Sequence, residues 1–177
     1  MNHQTPNFSR RSIRLKEYNY SQPGAYFVTI CTKGQEYSFG EIINGVIELS
    51  KLGSIVRDCW LKLLIHFKFI ELDEYVVMPD HLHGIINIFG DIDKGLINQT
   101  PTNHDWIMTK DSQVTLGKVI RHFKAKSSKT IHDAGYPNFQ WQRNYYEHII
   151  RDEHELSEIR KYIISNPYDW VSENKKL

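Results

Sequence analysis

The spacing of hydrophobic and polar positions predicts alternating strands and helices along the chain. Residues 25–32 form a short β-branched and aromatic run between turn residues, which is typical of a strand. Residues 52–67 instead carry apolar side chains at helical spacing. The same patterns predict strands at 74–78, 82–89 and 144–150, a hairpin at 41–49 that turns at Asn44 and Gly45, and helices at 115–131 and 152–166, the last closed by Pro167. This order of elements predicts a mixed sheet with helices packed on it.

Two polar stretches lack these patterns and divide the chain. Residues 1–20 are expected to form a flexible basic arm, and residues 90–113 a loop insertion. The chain has 177 residues, of which 40% are hydrophobic, and this fits one globular domain over residues 21–177.

Charge is distributed unevenly although the formal net charge is only +1. Between residues 114 and 151, seven Lys or Arg residues stand against two acidic ones. These seven are Lys118, Arg121, Lys124, Lys126, Lys129, Arg143 and Arg151, and a second basic cluster contains Arg10, Arg11, Arg14 and Lys16. A domain that is neutral overall but locally basic can bind a polyanion.

Cysteine usage and the lack of long apolar runs indicate the compartment. Cys31 and Cys59 are too few and too far apart for a zinc knuckle or a disulfide framework, which favours the reducing cytoplasm. The first residues contain no apolar core of a signal peptide, and no apolar run is as long as a membrane span. A cytoplasmic protein without a membrane partner is therefore expected.

The sharpest local motif is the stretch 77–84, which contains His81 and His83. Because side chains alternate faces along a strand, both imidazoles are expected on one face while Leu82 points into the core. Two imidazoles so placed can share one divalent cation, and Gly84 is expected to leave room beside them. A polar strand face that carries two histidines by chance explains the motif equally well.

The last predicted helix brings a phenol and an amide together. With Ile159 at the centre of the apolar stripe, Tyr162 and Asn166 lie on one edge and one turn apart. If this stripe packs against the histidine strand, Asn166 completes a metal site and Tyr162 can attack a phosphate. The commoner explanations are a tyrosine at the edge of the core and an asparagine that ends the helix before a proline. Asp152 and Glu155 form a capping-box pattern, which favours a structural role for Glu155.

Basic residues on the helix at 115–131 are followed by an aromatic-rich stretch at 139–146. This combination suits a single strand of nucleic acid, because charge follows the backbone and rings stack on bases. A solvated helix face beside an aromatic core edge explains it as well. The candidate DNA-binding residues are Arg14, Lys118, Arg121, Lys124, Lys126 and Arg143.

Several separated motifs, taken in order, carry a family resemblance that covers most of the chain. They are Arg11-Ser12-Ile13-Arg14-Leu15, Gly24-Ala25-Tyr26-Phe27-Val28-Thr29, Met78-Pro79-Asp80-His81-Leu82-His83-Gly84, Phe123-Lys124, Trp141-Gln142-Arg143, Glu147-His148-Ile149-Ile150-Arg151 and Tyr162-Ile163-Ile164-Ser165-Asn166-Pro167. With these motifs the chain resembles the REP-associated tyrosine transposases, which are relatives of the HUH-class single-tyrosine transposases of bacterial insertion sequences.

The resemblance implies a ferredoxin-like α/β (α+β) fold of the HUH endonuclease type, in which helices pack on a mixed or antiparallel sheet. His81 and His83 match the two histidine metal ligands of the family, and Tyr162 matches its nucleophile. Asn166 occupies the place of the third ligand, which is a glutamine in the insertion-sequence relatives and one methylene longer. Tyr145 and Tyr146 are rival nucleophiles by chemistry, but they do not match the motif position.

The implied activity is metal-dependent cleavage and transfer of single-stranded or hairpin DNA. Mg²⁺ or Mn²⁺ would neutralise charge on the scissile phosphate, and Tyr162 would form a 5′-phosphotyrosine while a 3′-hydroxyl leaves. A nucleoid-associated location follows from such a partner. A homodimer is left open, since insertion-sequence relatives are dimers and REP-associated relatives need not be.

Two other functions compete with this one. A domesticated transposase could bind DNA through its basic surface after its chemistry had lapsed. A replication initiator or relaxase would use the same chemistry on a different substrate. The small size of the chain and its Tyr-x-x-x-Asn-Pro motif favour the transposase branch.

Overall fold

A computed structural model describes residues 22–89 and 114–174 of the chain. Its strands are Gly24–Cys31 (β1), Gly40–Ile43 (β2), Val46–Leu49 (β3), Ile70–Val77 (β4), His81–Ile88 (β5) and Tyr146–Ile150 (β6). Its helices are Lys51–Leu61 (α1), Leu63–His66 (α2), Leu116–Asp133 (α3) and Glu153–Asn174 (α4). The expected arm at 1–20 and the expected insertion at 90–113 lie outside the described residues. None of the described helices is long and apolar enough to cross a membrane.

The main sheet has four strands in the order β4-β5-β1-β6. Each neighbouring pair is antiparallel, so of the two predicted possibilities, a mixed or an antiparallel sheet, the second is found. With α1 between β1 and β4, and α3 between β5 and β6, the arrangement is the βαββαβ pattern of a ferredoxin-like fold. The predicted fold class is therefore confirmed.

The two faces of this sheet carry separate hydrophobic cores, because alternate residues of each strand point to opposite sides. The larger core joins the sheet to α1 and α3 through Val28, Leu82, Ile86, Val56, Trp60, Val119, Ile120 and Phe123, among others. The smaller core joins the opposite face to α4 through Phe27, Ile85, Ile150, Ile159 and Ile163. The helix that carries Tyr162 thus covers the face on which the odd-numbered residues of β5 lie.

The β2–β3 hairpin is separate from the main sheet and turns where the sequence predicts. Asn44 and Gly45 have φ values of 54° and 79°, as a type I′ turn requires at both central positions. A Cβ built on Gly45 would lie 3.1 Å from the Tyr168 ring, so the turn packs closely against the far end of α4.

Besides the last helix, two predicted elements depart from the observed ones by more than one or two residues at an end, because one helix is divided and one strand begins earlier. The helix predicted over 52–67 is divided at Lys62 into α1 and α2. Strand β4 begins at Ile70 rather than at residue 74, because the pairing of β4 with β5 shifts between Leu72 and Tyr75. Such a bulge breaks the alternation of exposed and buried positions on which a strand prediction relies.

The prediction that Pro167 closes the last helix is wrong. Helix α4 continues from Glu153 to Asn174 with Pro167 inside it. A proline within a helix removes one backbone hydrogen bond and costs about 3 kcal/mol. Packing beyond the proline offsets that cost, because the Trp170 ring lies 5.9 Å from the Tyr37 ring and 5.8 Å from the His81 ring.

Candidate active site

His81 and His83 point to the same face of β5, as the strand alternation predicts. Both are buried, at 8% and 6% exposure, and their Nε2 atoms lie 3.0 Å apart. Leu82 between them is fully buried in the core on the other face. The two imidazoles therefore present a pair of nitrogens to one point between β5 and α4.

A second polar group holds each imidazole from behind. Nδ1 of His81 lies 2.6 Å from Oδ1 of Asp80, and Nδ1 of His83 lies 2.8 Å from Oγ1 of Thr29. Thr29 is the direct partner of His83 in the pairing of β1 with β5. Because both Nδ1 atoms have a neighbour of this kind, Nε2 is the nitrogen that each ring has left for a ligand.

The spacing of the two nitrogens fits a divalent cation. Two ligand atoms about 2.1 Å from one octahedral cation and at right angles to each other lie about 3.0 Å apart, and the Nε2 atoms are 3.0 Å apart. Burial, with a smaller contribution from His81, lowers the pKa of His83 well below its usual value. The neutral imidazole that results is the form that binds metal.

Tyr162 is brought to this pair by helix α4. Its hydroxyl lies 3.4 Å from Nε2 of His83, and the two rings are 5.4 Å apart. Phe27 stacks on His83 at 5.2 Å and meets the edge of Tyr162 at 6.1 Å, so it packs against both rings. The phenol is thereby oriented towards the histidines by packing on the sheet.

Asn166 follows Tyr162 by one turn of α4 and is buried, at 8% exposure. Within the described residues, no group of three or more His, Cys, Asp or Glu side chains could hold a metal ion. A third protein ligand beside His81 and His83 would therefore be of another type, and the amide oxygen of Asn166 is of a suitable type. Its role as a ligand remains a prediction.

The two rival tyrosines lie differently with respect to this site. Tyr145 packs against the larger core, on the face of the sheet away from α4. Tyr146 pairs with Thr29, which itself contacts His83, so Tyr146 lies on the site face but two strands from β5. The hydroxyl of Tyr162, by contrast, lies 3.4 Å from Nε2 of His83.

Glu155 has the structural role that the capping-box pattern favours. Its backbone N–H donates to Oδ1 of Asp152 at 2.8 Å, and its own carboxylate accepts from the backbone N–H of Arg151 at 2.8 Å. The other carboxylate oxygen lies 2.6 Å from Nε2 of His148 on β6. These contacts tie the start of α4 to the sheet.

The predicted DNA-binding residues differ in exposure. Four of those on and after α3 are exposed, namely Lys118, Arg121, Lys126 and Arg143. Lys124 is half-buried, and its Nζ donates to the carbonyls of Gln142 and Asn144 at 2.7 and 2.8 Å. Burial lowers the pKa of Lys124 to about 8. Arg14 lies outside the described residues.

Helix α3 packs on the face of the sheet opposite to α4, so its basic residues and Tyr162 lie on different sides of the molecule. The stretch after α3 nevertheless reaches the end of the sheet that carries His81. The backbone N–H of Gln142 donates to Cys31 at 2.9 Å, and Cys31 is the strand partner of His81.

Three residues at the site were not assigned from the sequence. They are Asp80 and Thr29, which hold the imidazoles, and Trp170, which lies against His81. Asp80 could have been found from the sequence, because a carboxylate next to a histidine is a signal of a supported metal ligand. The role of Thr29 depends on the register of β1 with β5, and that of Trp170 depends on a helix that continues past a proline.

The expectation that Gly84 leaves room beside the histidines is wrong. A Cβ built on Gly84 would lie 2.5 Å from Cζ2 of Trp60, which belongs to the larger core. As an even-numbered residue of β5, Gly84 faces α1 rather than α4. The glycine makes space for an indole on the opposite face of the sheet.

Comparison with known proteins identifies the relatives of the chain. No protein-family profile matches it. A Haemophilus influenzae protein described as "Uncharacterized protein" is 44% identical over 162 residues, which cover 91% of this chain and 89% of that protein. The chain belongs to the same family as that protein. A second Haemophilus influenzae protein, named "Putative REP-associated tyrosine transposase", is 27% identical over 155 residues, which cover 84% of this chain and 73% of that protein.

The chain is a relative of the REP-associated tyrosine transposases. A solved structure of a REP-associated tyrosine transposase bound to a REP hairpin matches with a TM-score of 0.56 at 20% identity, over 86% of this chain and 71% of that one. At that identity the match shows the fold, and it agrees with the topology described above. The resemblance inferred from the motifs is thus confirmed.

Proposed function

We propose that this relative of the REP-associated tyrosine transposases is a metal-dependent endonuclease and strand transferase for single-stranded hairpin DNA, with Tyr162 as its nucleophile. One observation carries the proposal. The Tyr162 hydroxyl lies 3.4 Å from Nε2 of His83, and that nitrogen lies 3.0 Å from Nε2 of His81. A nucleophile beside a pair of metal ligands suits metal-assisted transfer of a phosphodiester to a tyrosine.

His81 and His83 would hold Mg²⁺ or Mn²⁺ through their Nε2 atoms, with Asn166 as the third protein ligand. When bound, the cation would neutralise charge on the scissile phosphate and favour ionisation of a neighbouring phenol. Asp80 and Thr29 keep the two imidazoles in place behind it.

Tyr162 supplies the attacking atom. Its phenol oxygen forms a bond to phosphorus as the bond from phosphorus to the 3′ oxygen breaks, which gives a 5′-phosphotyrosine and a 3′-hydroxyl. The ordinary pKa of a tyrosine is about 10, so the proton must be removed. Tyr162 is only half-buried, and water can accept that proton. Attack by a 3′-hydroxyl on the phosphotyrosine reverses the step and joins strands without an external energy source.

Hairpin DNA is the substrate class that the relatives suggest. The matching solved structure is of a transposase bound to a REP hairpin. The exposed cations Lys118, Arg121, Lys126 and Arg143 offer phosphate contacts on a domain with a net charge of only +1.

The proposal is tested with hairpin DNA from the flanks of the gene, labelled at its 3′ end and incubated with Mg²⁺ or Mn²⁺. A labelled band that carries the mass of the protein on a denaturing gel is the expected result, and peptide mapping should place the link at Tyr162. Tyr162→Phe should fold and bind the hairpin but form no adduct, whereas Tyr145→Phe and Tyr146→Phe should form it.

Other outcomes would overturn the proposal in different ways. An adduct formed by Tyr162→Phe would exclude Tyr162 as the nucleophile, and loss of the adduct only in Tyr145→Phe or Tyr146→Phe would move the chemistry there. A wild-type protein that binds the hairpin tightly but never cuts it with either cation would be a DNA-binding protein without nuclease activity.

A further inference from the structure

A pair of aromatic side chains extends from His81 to the surface, and of the two Trp170 is half-buried and Tyr37 is exposed. Trp170 of α4 is 5.8 Å from the His81 ring, with 48° between the ring planes. Tyr37 meets Trp170 at 5.9 Å, with 66° between the planes, and is 66% exposed. The two rings thus lie in a row that begins at His81 and ends at the exposed Tyr37.

The backbone on both sides of this pair is held in place. Two residues after Tyr37, the fully buried Phe39 donates its backbone N–H to the carbonyl of Pro79 at 2.9 Å. Pro79 precedes the Asp80 and His81 pair, so the Tyr37 segment is fixed to the stretch that carries the metal ligands. Trp170 lies on the helical turn that continues past Pro167.

We propose that Tyr37 and Trp170 form a stacking platform for a nucleobase next to the scissile phosphate. This inference rests on the proposed function and specifies how the single strand is held. Aromatic rings bind bases of single strands by stacking, which is tolerant of sequence, and one such contact raises affinity by roughly tenfold. Its position beside His81 means that the stacked base belongs to a nucleotide adjacent to the phosphate under attack.

A neighbouring tyrosine provides a matched control. Tyr168 is 72% exposed and lies on the same helix as Trp170, but its ring packs beside Gly45 in the hairpin turn. Loss of the Tyr168 ring removes a similar exposed surface without touching the Tyr37 and Trp170 pair. An effect that is specific to the platform should therefore be absent from Tyr168→Ala.

The test measures DNA affinity in a Tyr162→Phe background, where no cleavage interferes. Fluorescence anisotropy is recorded with a hairpin that carries a single-stranded flank, and with a series in which each flanking nucleotide in turn is abasic. We expect Tyr37→Ala to weaken binding of the intact DNA by roughly tenfold, and Tyr37→Phe and Tyr168→Ala to bind normally. At one position in the series, the abasic DNA should bind the Tyr162→Phe protein more weakly than the intact DNA does. The protein that also carries Tyr37→Ala should bind that abasic DNA and the intact DNA equally.

The contrary outcomes separate the two proposals. Unchanged affinity of Tyr37→Ala, or a loss that is the same for every abasic DNA, would overturn the platform while leaving cleavage by the wild-type protein intact. Trp170→Phe, which keeps a ring, should bind better than Trp170→Ala if both remain folded. Failure of the protein to bind any hairpin, together with failure of the wild-type protein to form an adduct, would overturn the proposed function itself.

Discussion

Oδ1 of Asp80 lies 2.6 Å from Nδ1 of His81, and the same imidazole places its Nε2 3.0 Å from Nε2 of His83. Asp80 is buried, with 5% exposure, so its carboxylate is directed at the ring rather than at solvent. A carboxylate in this position fixes the orientation and tautomer of a histidine ligand and makes the ligating nitrogen more basic. Asp80 is therefore expected to determine how tightly the site holds a cation.

Asp80→Asn should weaken metal binding by about tenfold to 100-fold, because a neutral amide oxygen accepts the Nδ1–H hydrogen bond more weakly than a carboxylate does. Titration with Mn²⁺ followed by calorimetry measures that affinity directly. The rate of adduct formation should fall at low Mn²⁺ and recover at high Mn²⁺. Thr29→Val removes the neutral partner of His83 and should have a smaller effect. An unchanged Mn²⁺ affinity in Asp80→Asn would show that the pair only packs.

Gly84→Ala should destabilise the fold although no polar group changes. Its Cβ would lie 2.5 Å from Cζ2 of Trp60, which is fully buried and cannot move without displacing the core. Such overpacking costs about 1–3 kcal/mol, measured as the free energy of unfolding in urea. Trp60→Phe removes the crowding atom, so the double variant should lose less than the sum of the two single variants. Additive losses would contradict this explanation.

The parts of the site that the sequence predicts depend on regular periodicity. His81 and His83 share a face because β5 is an uninterrupted strand, and Tyr162 and Asn166 share an edge because α4 is regular there. The Ile159 stripe packs on the face of the sheet that carries the histidines, which is the condition that the sequence-based hypothesis for the site required. The regular periods of strands and helices are sufficient for such inferences, since they determine the direction in which each side chain points.

The parts that the sequence does not predict depend on contacts between distant segments. Thr29 meets His83 only through the register of β1 with β5. Trp170 reaches His81 because packing keeps α4 helical through Pro167, against the local preference of the chain. The role of Gly84 was assigned to the wrong face, because its neighbour Trp60 lies on a helix whose position the strand pattern does not specify.

The exposed cations on α3 are expected to act through phosphate contacts. Removing a side chain that contacts one phosphate should reduce the slope of log affinity against log salt by roughly 0.7 to 0.9. Lys118→Ala, Arg121→Ala and Lys126→Ala should each weaken hairpin binding in this way. Affinity measured from low to moderate salt checks the prediction, and unchanged slopes in all three variants would show that these charges are merely solvated.

Lys124→Met should behave differently from these variants. The Lys124 ammonium donates to the carbonyls of Gln142 and Asn144 at 2.7 and 2.8 Å, so its loss leaves both without that donor. The expected cost is about 1–3 kcal/mol in the free energy of unfolding. Lys126→Met on the same helix, where the side chain is exposed, is the matched control and should unfold like the wild-type protein. Equal stability of the two variants would contradict the structural role of Lys124.

The Asp73 and Arg160 pair is expected to hold α4, the helix that carries Tyr162, against the sheet. Arg160, two residues before Tyr162, donates through two nitrogens to Asp73 at 2.9 and 2.5 Å, and Asp73 lies in the bulge of β4. The Arg160 hydrogen bonds lower the pKa of Asp73 below its ordinary value of 3.8. Asp73→Asn should therefore destabilise the protein by about 1 kcal/mol at neutral pH and slow adduct formation, while hairpin affinity is retained.

The pH dependence of this pair has a definite sign. A carboxylate whose pKa is lower in the folded state stabilises the fold above its unfolded pKa and loses that contribution as the pH falls through the folded one. The difference in unfolding free energy between wild type and Asp73→Asn should thus be constant at neutral pH and should shrink as the pH falls below 3.8. Lys161→Gln, which removes an exposed pair with Glu158 on the same helix, should change neither stability nor adduct rate. Urea unfolding from pH 7 to pH 3 gives the comparison. If the difference in unfolding free energy between wild type and Asp73→Asn is as large at pH 3 as at pH 7, Asp73 acts through packing rather than through its charge.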